Sequence, residues 1–210
     1  MTTLSALLLG LTGVLAVADW VAVHRSHRPA EYLFKPATLV ALIGAAAALD
    51  VPDGPQGWFI AALVFSLAGD VFLMLPSDMF MAGLASFAVG HVFYIAGFAA
   101  DDPGAGGMTL GAVVVVASLA VLGPRIVKAV ASTDTALVGP VMAYIGVISA
   151  MVIVAFGSGH PIAMAGALLF YASDATIAWN RFVAEVSSAR LVIITTYHLG
   201  QIGLVLSLVA

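Results

Sequence analysis

Apolar residues fall along this chain in eight blocks, each close to the roughly 20 residues that carry a helix across the hydrocarbon core of a bilayer. They run from Thr3 to Val23, Lys35 to about Leu49, Gly57 to Leu75, Met79 to Ala99, Met108 to Lys128, Ala136 to Phe156, Pro161 to about Asn180, and Ala189 to Ala210. The breaks carry turn chemistry: Pro52-Asp53-Gly54-Pro55, Pro76-Ser77-Asp78, Asp101-Asp102-Pro103-Gly104 and Gly157-Ser158-Gly159-His160-Pro161. The pattern predicts an all-α, polytopic membrane helix bundle of eight transmembrane helices, forming a single domain over residues 1–210. The second block is the shortest, and Lys35 before Pro36 suits a helix start, because proline is tolerated in a first turn. Ala16-Val17-Ala18 resembles a leader cleavage site, but nothing basic precedes the first block, so it is expected to stay as a transmembrane helix.

Composition strengthens this picture. Of 210 residues 62% are hydrophobic and only 9% charged, against about 25% charged in a soluble domain. No basic stretch could track a nucleic acid backbone, so nucleic acid is excluded as a partner and the lipid bilayer takes its place. The absence of cysteine removes disulfides, thiolate nucleophiles and thiolate zinc sites together.

Charge adds orientation. Arg25, Arg28 and Lys35 flank the first connection, Arg125 and Lys128 the fifth, and Arg181 and Arg190 the seventh. All seven basic residues therefore sit on the side of the odd-numbered connections, while the opposite loops hold Asp50, Asp53, Asp101 and Asp102. Basic loops stay in the cytoplasm, which predicts an integral membrane protein with both termini outside. The wealth of Ala, Val and Gly suits a bacterial inner membrane.

Polar residues inside the blocks then become the candidate chemistry. At about 1.5 Å per residue, Asp19, Asp70, Asp174 and His198 fall in the basic half, while His91 and Gln201 fall nearer the midplane. Each costs a few kcal/mol in hydrocarbon unless paired or facing water, and convergence on one cavity satisfies that demand for all. The plainer arrangement is a set of structural pairs, Asp19 with Lys35 and Asp174 with Arg181. Asp70 and Asp174 both lie beside small residues that let helices approach closely. His91 and Tyr94 share a helix face, and Thr195, His198 and Gln201 form a polar stripe. The fifth and sixth blocks have no ionisable group in their middles. Gly83, Gly90 and Gly97 recur every seven residues, as a packing seam does. Asp78 and His160 read as ordinary loop residues, and Lys35 as either an interface anchor or a phosphate ligand.

Ala62 to Asp70 echoes Ala167 to Asp174 with a one-residue gap, and a histidine follows 21 residues after Asp70 and 24 after Asp174. A four-span offset preserves direction through the membrane, so this is the pattern of a parallel four-plus-four repeat. It would set the two aspartates facing one another across a pseudo-two-fold axis.

Tyr32-Leu33-Phe34-Lys35-Pro36, Gly69-Asp70-Val71-Phe72-Leu73-Met74-Leu75, and Phe80 to Phe87 with His91 and Tyr94 resemble the YhhN-like, TMEM86-type lysoplasmalogenase family. Tyr171-Ala172-Ser173-Asp174, Arg181-Phe182 and Tyr197 to Gln201 extend the likeness along nearly the whole chain. The resemblance implies a lysophospholipid substrate whose vinyl ether bond is hydrolysed to a fatty aldehyde and a glycerophospho-base. It also implies that Asp70 and Asp174 are the catalytic carboxylates.

The chemistry suits those residues. Hydrolysis of an enol ether begins with protonation at carbon and passes through an oxocarbenium ion, so two carboxylates can divide the acid, stabiliser and base roles, as in glycoside hydrolysis. His91, His198, Tyr94 and Gln201 are expected in support, with Lys35 or Arg181 at the phosphate, and neither metal nor other cofactor is called for. Two other readings compete. A zinc hydrolase would use His91, His198 and the aspartates, although no HExxH helix is present. A proton-coupled transporter would use the same buried groups as a relay.

Overall fold

The computed structural model describes residues 1–51, 54–77 and 79–210. Pro52 and Asp53 of the second expected connection, and Asp78 of the third, lie outside the described residues. The described chain forms eight long α-helices: α1 (Thr3–His24), α2 (Arg28–Ala47), α3 (Gln56–Met74), α4 (Phe80–Ala99), α5 (Ala105–Thr133), α6 (Val138–Gly157), α7 (Pro161–Ala178) and α8 (Ala189–Leu206). All eight are long and apolar enough to cross a membrane. Large side chains such as Leu7, Val14, Val113 and Val116 are exposed on their outer faces, as a lipid-facing surface requires.

The termini follow local chemistry. Thr2 caps α1 by accepting the Ser5 N–H, and Pro161 opens α7 in the position where its missing N–H costs nothing. The second helix corrects the sequence reading. It starts at Arg28, not Lys35, with His27 capping it through the Ala30 N–H and Pro29 in its first turn. Lys35 and Pro36 therefore lie inside the helix. Two prolines compete for the first-turn role here, and the earlier one, preceded by a side chain able to cap, takes it.

Each odd helix packs against the even helix that follows it, and α2 against α3, α4 against α6, α6 against α7, and α8 against α1 and α2 complete a ring. Helix α5 stands outside this ring, packed along α6 and touching the end of α7, and is the least buried of the eight.

Glycine permits two of the close crossings. A Cβ on Gly90 would lie 3.0 Å from the Ala62 carbonyl oxygen, so the glycine seam of α4 is where α3 rests. At the α7–α8 crossing, a Cβ on Gly200 would lie 2.8 Å from the Phe170 nitrogen, and one on Gly166 2.8 Å from the Leu204 nitrogen. The end of α7 widens into a π-helical turn, Trp179–Val183, which breaks the α-helical phase between Asp174 and Arg181.

Candidate intramembrane active site

Six ring helices each send a polar side chain inward, and these form two groups. The first joins α2, α3 and α8. Asp70, 1% exposed, is held on both oxygens: Lys35 Nζ lies 2.8 Å from Oδ1, and the Tyr197 hydroxyl donates to Oδ2 over 2.7 Å. The lysine thus reaches inward to a carboxylate within the bilayer.

The second group joins α4, α6 and α7. The Tyr144 hydroxyl donates a short hydrogen bond to Asp174 Oδ2, and His91 Nε2 lies 3.1 Å from the Tyr144 oxygen and 3.4 Å from the same carboxylate oxygen. With the phenolic proton directed at Asp174, the tyrosine oxygen must accept from His91 Nε2–H. The other ring nitrogen, Nδ1, is buried and has no hydrogen-bond partner among the described residues.

Aromatic rings fill the space between the groups. Phe170 stands edge-on to His91 at 4.7 Å between centroids and to Tyr197 at 5.3 Å, and Phe87 meets Tyr197 at 5.9 Å. This layer lies between the two carboxylates, of which Asp70 is fully buried while the Asp174 side chain stays 12% exposed. Burial of this kind strengthens each hydrogen bond and makes an unpaired charge costly.

The second group borders a cavity. An apolar hollow, with about 790 Å³ of empty space including its open mouth, reaches Asp174, Tyr144 and Ile148 at one end and Phe80, Ile126 and Phe182 towards the basic end of the bundle. The guanidinium of Arg181 lies over the Phe80 ring at 4.1 Å, near that mouth.

The sequence-predicted residues are thus divided. Asp70 with Lys35, and Asp174 with His91, meet in bonded groups. The plainer pairing of Asp19 with Lys35 is not formed: Lys35 is bonded to Asp70, and both Asp19 oxygens are buried with no hydrogen-bond partner among the described residues. The pairing of Asp174 with Arg181 gives way to the Tyr144 and His91 contacts, because the π turn carries Arg181 out of phase. Tyr94 donates to Gln201, and His198 Nδ1 accepts from Trp20 Nε1 at 3.2 Å, so these bonds of Tyr94, Gln201 and His198 go to neither carboxylate. Tyr144 and Tyr197 were missed as site residues. Their signal was the phenol itself, which must find a partner once buried. The four potential zinc ligands do not gather: among the described residues no three His, Asp or Glu side chains are placed to share a metal.

The two groups mirror one another in topology. Exchanging the first four helices for the last four maps α2–α3–α8 onto α6–α7–α4, so each aspartate bonds one partner in its own half and one in the other.

The fold and the site define a membrane-embedded helical bundle with two buried carboxylates, one of them at an apolar cavity. The chain belongs to the YhhN family, whose sequence profile matches residues 30–208. It is 35% identical over 157 residues to lysoplasmalogenase TMEM86B of Mus musculus, covering 74% of this chain and 66% of that protein. It is 32% identical over 182 residues to the Sus scrofa TMEM86B, covering 83% and 74%, and 35% identical over 156 residues to lysoplasmalogenase TMEM86A of Homo sapiens, covering 70% and 63%. The chain therefore spans slightly less than two thirds of the length of the murine relative. No solved structure matches it.

Proposed function

We propose that residues 1–210 act as one eight-span domain that hydrolyses the vinyl ether bond of a lysoplasmalogen, releasing a fatty aldehyde and a glycerophospho-base. The observation that carries this reading is an apolar cavity bordered at one end by a carboxylic acid in contact with a tyrosine and a histidine. The names of the relatives agree with it, since each is called a lysoplasmalogenase.

In this mechanism Asp174 delivers a proton to the alkene carbon farther from the ether oxygen. The adjacent carbon and the ether oxygen then share the positive charge of an oxocarbenium ion. Water adds to that carbon and loses a proton to the Asp174 carboxylate. The resulting hemiacetal breaks its bond to the glycerol oxygen, which takes a proton as the aldehyde forms. Tyr144 and His91 orient the Asp174 carboxyl and return protons to it. Asp70, tied to Lys35, is the fixed negative charge that favours the cationic intermediate across the aromatic layer. Arg181, over the Phe80 ring at the basic end of the cavity, is the phosphate ligand. The matching partner sets of the two aspartates support a parallel four-plus-four repeat. The membrane is the bacterial inner membrane, with both termini outside the cytoplasm and the cavity mouth towards it.

The test is aldehyde release from a lysoplasmalogen by the purified protein beside Asp70→Asn and Asp174→Asn. Loss in both variants is expected. Full turnover by Asp70→Asn would end the two-carboxylate mechanism, and no aldehyde from folded wild type would end the substrate assignment.

A further inference from the structure

A second hollow lies on the outer side of the cavity. It has about 900 Å³ of open space and is lined by Ser118 of α5, Tyr171 and Thr176 of α7, Trp179 of the π turn, Val186 of the connection that follows, and Val192 in the first turn of α8. It runs from mid-bundle towards the basic end along the gap between α5 and α7, which pack on one another less than either does on its hairpin partner, with α5 meeting the π turn at the basic end. Leu122, Tyr171 and Ala175 line both spaces, so a single layer of side chains separates the cavity from the hollow. Across that layer the only bond among the described residues is from the Ser118 hydroxyl to the Tyr171 oxygen, at 3.3 Å.

We infer that this gap is a lateral portal through which one aliphatic chain of a lipid passes between the bilayer and the Asp174 cavity, with Tyr171 as its gate. The inference rests on the lysolipid reading above and adds the route and the binding place of the tail. Three observations select a lipid chain as the occupant. The hollow opens between two membrane-spanning helices, where the surroundings are hydrocarbon. Its lining is largely apolar, with Trp179 towards the interface where indole rings anchor. It is also continuous, but for one side-chain layer, with a cavity holding an acid that needs a reacting bond near a lipid head group.

The arrangement also answers a geometric difficulty. The vinyl ether lies at the head-group end of the tail, so a substrate with its phosphate at Arg181 and its ether oxygen at Asp174 has a long chain still to place. The portal lets that chain trail into the bilayer, and a lysolipid with one chain fits one gap.

Because the chain has no cysteine, a plug can be placed at one position. Ser118→Cys is reconstituted in phosphatidylcholine vesicles and derivatised with a benzyl methanethiosulfonate. The probe is a lysophospholipid with a saturated alkyl ether chain, which cannot form the oxocarbenium ion, carrying a diazirine near the ether. Photolabelling is mapped by peptide mass spectrometry at the cavity residues Ile145 and Ile148. Labelling in the free thiol form, its loss with the plug and its return on reduction are the expected results. Labelling unchanged by the plug, or absent without it, would overturn the portal. Ala172→Cys, exposed on the same face, replaces Ser118→Cys should the latter not fold, and Val116→Cys on the lipid side of α5 should be insensitive to its own plug. Aldehyde release is read separately: a wild type that labels through the portal but makes no aldehyde refutes the hydrolase alone, whereas aldehyde with plug-insensitive labelling refutes the portal alone.

Discussion

The Lys35–Asp70 pair allows structural and chemical roles to be separated. Its ammonium and carboxylate meet at 2.8 Å, with the Lys35 side chain 15% exposed and that of Asp70 1%. Removing one partner of such a buried pair strands the other charge, at about 3–5 kcal/mol, whereas replacing both by apolar groups of similar volume is about neutral. Lys35→Met and Asp70→Leu should therefore each lower the melting temperature in detergent by roughly 10 °C, taking about 2–4 °C per kcal/mol for a chain of this size. The double variant should recover most of that loss, which corresponds to a coupling energy of about 5 kcal/mol or more in the double-mutant cycle. Melting can be followed by fluorescence-detected gel filtration of heated samples, with aldehyde release measured on the same preparations. The proposed mechanism requires the double variant to be stable and inactive. Additive losses of stability would refute the pairing as a unit, and a double variant that is both stable and active would show that Asp70 acts only in the fold.

Two further perturbations address the rest of the site. Tyr144→Phe removes the hydroxyl that bonds Asp174 and His91, leaving the carboxylate only its 3.4 Å contact with the ring; kcat should fall about 10- to 100-fold with the fold intact, as expected for a buried acceptor losing its donor, and an unchanged kcat would reduce Tyr144 to a packing role. Gly200→Ala would place a methyl 2.8 Å from the Phe170 nitrogen and 3.0 Å from the Gly166 oxygen, backbone atoms that cannot swing aside. A loss of about 1–3 kcal/mol in stability is expected, the cost of an overpacked core, and an unshifted melting temperature would mean that α7 and α8 lie farther apart.

The eight spans were legible because a bilayer demands long apolar runs and the turns between them are chemically distinct. Asp70, Asp174 and His91 were legible as residues too costly to bury without a purpose. Their partners were not. Lys35 read as an interface anchor or a phosphate ligand because Pro36 imitated a helix start that Pro29 in fact supplies, and Tyr144 vanished into an apolar sixth block because a phenol counts as hydrophobic until its hydroxyl is buried. The separation of Asp174 from Arg181 depends on a π turn that a 3.6-residue period does not reveal.

The crossed bonding of the two aspartates bears on how such a chain can change over generations. His91 belongs to the first half but serves the second half's carboxylate, and Tyr197 belongs to the second but serves the first's. A mutation in one half is therefore felt in the other, and neither half can specialise alone or be exchanged for a copy from elsewhere without its counterpart. Two halves joined in this way can still differ in the one contact each keeps to itself, which here is a cation on α2 and a neutral hydroxyl on α6.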